Sequence, residues 1–216
     1  MAGASAQAAT YDFKAVANAG GGIGESAYTS FDTTSTFAGP GLTITAGDVG
    51  FDGTPYVYFD NGHAGIGVCN DLNAAGDASV DTATNGSSNL CNPSSDDGIT
   101  TSGEFLTFTA QSTMTIDGIW INSNHDSDSI WDTVWAIAGV TYSDALGSFI
   151  DDLLSQDGDI FIDLGGFLLA AGDYFTVQGT SGANSYISGL AVTAVPLPAA
   201  GWLLIAGVAG LGAMRR

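Results

Sequence analysis

Phe105-Leu-Thr-Phe-Thr-Ala110 and, two residues further on, Thr113-Met-Thr-Ile-Asp-Gly-Ile-Trp-Ile121 alternate apolar and polar residues. A period of two puts every second side chain on one face of an extended chain, so both stretches are expected as half-buried strands. In the second stretch Met114 and Ile116 set one phase, Ile119 and Ile121 set the other, and Gly118 stands at the change. An extra residue there, a β-bulge, would return the later pair to the apolar face.

The same reading extends outward. Tyr11–Ala17, Leu42–Thr45, Tyr56–Phe59, Val134–Tyr142, Ile160–Leu164, Tyr174–Gln178 and Tyr186–Val195 are further expected strands. Turns between them are supplied by Gly39-Pro-Gly41, Phe51-Asp-Gly53, Asp157-Gly-Asp159 and Ala171-Gly-Asp173. One stretch departs from the pattern: Ala145, Leu146, Phe149, Ile150, Leu153 and Leu154 recur at helical spacing behind Ser143, a residue type that caps helices. About nine strands and one short helix predict an all-β chain, an antiparallel β-sandwich of jelly-roll type.

Composition agrees. The chain of 216 residues has 31 glycines and is 45% hydrophobic, enough for one core of ordinary size. Its 23 acidic residues face 3 basic ones, and with Arg215 and Arg216 at the terminus only Lys14 remains for the rest of the chain. Such a surface repels phosphate backbones, so nucleic acid is excluded as a partner. All the acids but Glu25 and Glu104 are short-armed Asp in turn-like sequence. They read as a solubilising halo or as a collector of divalent cations.

Cys69 and Cys91 enclose a polar, Asn/Gly/Ser-rich loop and match no CxxC or CxxxC metal pattern. In an exported protein they are expected to pair, and closing that loop stabilises by roughly 3 kcal/mol. Ala6-Gln-Ala8 fits the small-x-small pattern of a secretory cleavage site, without the basic and apolar regions of a complete signal peptide. Residues 1–9 are therefore read as a signal-peptide remnant, 10–194 as the ectodomain and 195–216 as a tail.

In that tail Ala199 to Met214 are 16 uncharged residues, which span about 24 Å as a helix. With Val195 to Pro198 added the segment reaches bilayer length, predicting a single transmembrane helix. Arg215 and Arg216 would hold its end on the cytoplasmic side. The run Val195-Pro196-Leu197-Pro198, the Gly-rich apolar stretch and the terminal Arg pair resemble the PEP-CTERM sorting signal of the VPLPA type, over the last 22 residues. The resemblance implies an exosortase partner that cuts near the Pro-rich motif. It also implies passage through the inner membrane of a Gram-negative bacterium to the cell surface or extracellular matrix.

A weaker resemblance covers Gly65-Ile-Gly-Val-Cys69, Cys91-Asn-Pro-Ser-Ser-Asp96-Asp97, Gly103 to Phe108, and Leu169 to Val177. These stretches are similar to PEP-CTERM ectodomains, which are themselves similar to galactose-binding-like sandwiches. That likeness is one of fold and brings no ligand with it.

Motifs for catalysis are lacking: there is no GxSxG, HExxH or phosphate loop, and His63 and His125 are not spaced as a zinc pair. Asn124, Asp126 and Asp128 place oxygen ligands at alternate positions, as a structural calcium ion needs, without the Gly and Glu that complete an EF-hand loop. Asp96-Asp97 and Asp157-Gly-Asp159 are further oxygen-rich turns. Trp120, Trp131 and Trp135 lie close in sequence and read first as core of the sandwich; the alternative makes Trp131 and Trp135 a candidate sugar platform, because a pyranose face stacks on a flat ring. The expected function is a non-enzymatic surface or exopolysaccharide-associated matrix protein. A calcium-assisted carbohydrate-binding module and a secreted hydrolase are the alternatives.

Overall fold

The computed structural model describes residues 6–18, 24–72, 82–83, 90–93, 97–100, 103–122, 133–143, 149–151, 159–181 and 185–196. The chain starts with β1 (Gln7–Asp12), α1 (Phe13–Asn18), β2 (Ser26–Tyr28), β3 (Phe31–Asp32) and β4 (Leu42–Asp48). Next come β5 (Tyr56–Asp60), β6 (Gly65–Cys69), β7 (Thr82–Ala83), β8 (Glu104–Ala110) and β9 (Met114–Asn122). It ends with β10 (Val134–Ile137), β11 (Val140–Ser143), β12 (Phe149–Asp151), β13 (Ile160–Leu169), β14 (Tyr174–Ser181) and β15 (Tyr186–Ala194).

These strands make two antiparallel sheets. The larger runs β12-β13-β9-β15-β6-β5-β2-β7, with β1 also paired to β15; the smaller runs β11-β10-β14-β8-β4-β3. One apolar cluster takes Ile66, Ile116, Ile119, Ile121, Ile162, Leu190 and Val192 from the first sheet and Leu42, Ile44, Leu106, Phe108, Ile137, Phe175 and Val177 from the second. The two sheets thus share a single core, as in a sandwich. Burying each such side chain contributes about 1.5–3 kcal/mol. Phe108 and Phe175 stack at 4.9 Å inside it.

The bulge forms where the phase change predicts it. Along β9 and β15, Ala191 pairs with Gly118 and Val192 with Ile116, so Asp117 is the extra residue. Ile116, Ile119 and Ile121 are consequently all buried.

Three expectations are corrected. Tyr11–Ala17 is not one strand: β1 stops at Asp12, whose carboxylate accepts from the Ala15 backbone N–H at 2.7 Å and caps α1. Phe13 and Ala17, four residues apart, then face the core together. Val134–Tyr142 is not one strand either. It folds into the β10–β11 hairpin through Ala138 and Gly139, which have φ of 51° and 79°, the positive values a tight two-residue turn requires. The helix expected behind Ser143 gives way at Phe149–Asp151, which pairs antiparallel with Ile160–Ile162, while Ser143 itself ends β11. A partner strand satisfies backbone groups that helical spacing alone cannot place. The rest of that stretch, 144–148 and 152–154, lies outside the described residues.

Among the described residues no helix is long and apolar enough to cross a membrane. The expected transmembrane segment, together with Leu197, Pro198, Arg215 and Arg216, lies outside them.

Candidate functional site

The junction with the tail follows directly from the last strand. β15 pairs with β9 along one side, and on the other with β1 and, at Ile187, with β6. It ends at Ala194, and the Val195 N–H still donates to the Thr113 carbonyl at 3.2 Å. Val195 is exposed. The run that starts Val195-Pro196 therefore begins one residue beyond a strand held on both sides. At this same end of the ladder Gln7 of β1 pairs with Ala194. Among the described residues β1 thus pairs from Gln7, three residues before the expected ectodomain boundary at 10.

A second region lies on the outer side of β5 and β6. Cys69 and Cys91 form the expected disulfide. With Ala27, Tyr56, Tyr58 and Leu90 they make a small apolar cluster separate from the main core. Both strands are buried along their whole length as a result. At Gly67 the backbone of Asp97 and Gly98 crosses so closely that an added Cβ would stand 2.1 Å from the Asp97 carbonyl oxygen.

This cover encloses carboxyl groups. Glu25, Asp60 and Asp97 are at most 3% exposed. The Tyr58 hydroxyl donates to Glu25 Oε2 at 2.5 Å and accepts from the Leu90 N–H at 2.8 Å. The Tyr186 hydroxyl donates to Asp97 Oδ1, also at 2.5 Å. Burial first, then the neighbouring Asp97 and Glu25 charges, push the Asp60 carboxyl up to about 9, so it holds its proton at neutral pH. Burial and Glu25 likewise push the Tyr58 hydroxyl up. At the rim of the disulfide region Glu104 is also buried: its Oε2 accepts from the Thr100 N–H at 2.7 Å, and its Oε1 from Asn70, which also donates to Asp48.

The third region surrounds Lys14 on α1. Its Nζ lies 2.6 Å from Asp159 Oδ2. The other oxygen of Asp159 accepts from Asn122 Nδ2 at 2.5 Å, and the same Nδ2 donates to the His63 carbonyl at 2.7 Å. Asn18, at the far end of α1, accepts from the backbone N–H groups of Gly62 and His63. The short helix is thereby tied at both ends to the β5–β6 turn and the start of β13.

The candidates drawn from sequence divide accordingly. Trp135 is a correction. It is 1% exposed in the main core, with Nε1 donating to Thr133 Oγ1 at 2.9 Å, so it offers no ring face to a sugar. Alternation along β10 turns it inward with Ile137. Trp131, Asn124, Asp126 and Asp128 lie outside the described residues. Asp97 and Asp159, singled out as turn oxygens, are instead buried partners of Tyr186 and Lys14. Among the described residues no three His, Cys, Asp or Glu side chains are grouped to hold a metal. The surface-halo reading of the acids also missed that Glu25, Asp60, Asp97, Glu104 and Asp159 are interior. One signal was present: the chain's only two glutamates are both among them. Comparison of the chain with family models, curated proteins and solved structures finds no match.

Proposed function

We propose that the chain is an exported surface or matrix protein, cut by an exosortase-type enzyme near Val195–Pro198. Its non-enzymatic ectodomain would be a sandwich of the jelly-roll or galactose-binding-like class, acting in the envelope or exopolysaccharide matrix. The observation that carries the reading is the junction: an ordered strand ends at Ala194 and the motif Val195-Pro196-Leu197-Pro198 follows at once. A cut there separates an intact domain from an apolar address without breaking a strand pair. The Cys69–Cys91 disulfide supports folding in an oxidising compartment. The buried carboxyls support a structural rather than catalytic use of these groups, since Glu25, Asp97, Glu104 and Asp159 are each hydrogen-bonded within the fold.

The test is the double substitution Pro196→Ala/Pro198→Ala in the native host, followed by fractionation and immunodetection. Retention of an uncut form in the inner membrane, with the surface form lost, is the expected result. Unchanged size and location of the variant would remove the motif from the account.

A further inference from the structure

We propose that Lys14 and Asn122 join in an intramolecular isopeptide bond, with Asp159 carrying the protons between them.

Lys14 is the one lysine or arginine ahead of the terminal arginines in a chain with 23 acids. A lysine placed for solubility would stay in water; this one has its side chain 15% exposed, against an aspartate side chain 6% exposed. Asn122 is fully buried beside them. Its amide has a defined orientation, because only the NH2 end can donate to both the His63 carbonyl and Asp159 Oδ1. The Lys14 and Asn122 nitrogens therefore share a single carboxylate, one on each oxygen, at 2.6 and 2.5 Å. For the bond to form, the amine must leave Oδ2 and reach the amide carbon held on the other oxygen. Holding two reactants on one group in a largely buried site is what turns a slow encounter into an intramolecular step.

The step balances without an oxidant or a cofactor. Asp159 takes a proton from the ammonium, and the freed amine attacks Cγ of Asn122, forming the C–N bond. Protons lost by Nζ pass through Asp159 to Nδ2, the Cγ–Nδ2 bond breaks, and the leaving nitrogen departs as ammonium. A lysine ammonium and a primary amide become a secondary amide and free ammonium, and Asp159 is regenerated. Burial holds the Asp159 carboxyl above its usual range despite Lys14, which makes it a better proton acceptor. The bond would fasten α1, directly behind β1, to the end of the central strand β9. It is a covalent lock independent of the disulfide and indifferent to reducing agents.

Intact mass of the full chain, purified folded and then denatured and reduced, reads this directly. The expected mass is one ammonia below the sequence value. Digestion should yield a branched peptide joining Lys14 to Asn122, and Lys14→Arg and Asp159→Ala should both return to full mass. Because wild type itself carries the signal, a variant that fails to fold leaves the test intact. A wild-type mass equal to the sequence value overturns the proposal. So does a loss of water, which would put the bond on Asp159, or an ammonia loss mapped to Asn61-Gly62 or Asn85-Gly86, where ring closure of Asn-Gly gives the same mass.

Discussion

Gln7 and Ala194 are register partners: the first residue of β1 pairs with the last residue of β15, so the first and last of the described strands meet at one end of the larger sheet. The strand next to the proposed export cleavage thus closes on the strand next to the proposed sorting motif. Cleavage after Ala8 would leave the pairs from Ala9↔Val192 to Asp12↔Gly189 in place, including buried Tyr11 opposite Leu190. A chain starting at Ala9 should accordingly unfold within about 1 kcal/mol of the longer form, since Gln7 and Ala8 are exposed. Tyr11→Ala should cost about 3–5 kcal/mol, because it empties a core site and removes the hydrogen bond to the Pro40 carbonyl. Urea titration of the three proteins separates these outcomes.

Removing the disulfide through Cys69→Ala/Cys91→Ala should lower stability by about 3 kcal/mol in the chain-entropy account. The loss should come with a local signature. Hydrogen exchange should rise first in Tyr56–Cys69, the strands whose outer face the bridge covers. Uniform exchange across both sheets would show that the bridge does not act through that cover.

Stability should fall as pH rises across the range set by Asp60. Its carboxyl titrates near 4 when unfolded but is held up to about 9 by burial and by Asp97 and Glu25. Between those values the folded chain binds more protons than the unfolded one, so the slope of stability against pH is negative. The contribution is complete below about 4 and is lost as pH climbs toward 9. Asp60→Asn should flatten the profile between pH 5 and 9 as followed by urea midpoints. A wild-type profile that rises over this interval would contradict the assignment.

Gly67→Ala should destabilise by about 1–3 kcal/mol, since the new methyl meets backbone at Asp97–Gly98 and not a side chain that could rotate away. The thermal midpoint is the readout. An unchanged value would mean that the crossing segment yields.

The β character and its central elements were legible because alternation speaks directly for strands with one buried face: β8 is Phe105–Ala110 with one residue added, and the bulge at Asp117–Gly118 follows from a phase change in four apolar residues. β6 was harder to see. Gly65-Ile-Gly-Val-Cys69 is buried on both faces, and its outward positions carry glycine so that other chain segments can lie on them. The Phe149–Asp151 stretch was misread because its pairing with β13 is a tertiary fact that local spacing does not encode. Among the functional groups, Lys14 was conspicuous as a lone cation, but its partner Asp159 comes from the approach to β13, and Asn122 of β9 meets that same carboxylate; neither could be named from spacing. Trp135 shows the reverse case: its closeness in sequence to Trp131 made it a platform candidate beside the core reading, and strand alternation turned it into the core.

The proposed sorting of this chain is tested most directly by the intact mass of the protein recovered from its native cells, separated into inner-membrane, surface and medium fractions. The account predicts a surface or medium species beginning near Ala9 and ending near Val195–Pro198, with the apolar tail gone. A single species still carrying Arg216 and confined to the inner membrane would contradict it, and would make the tail a permanent anchor.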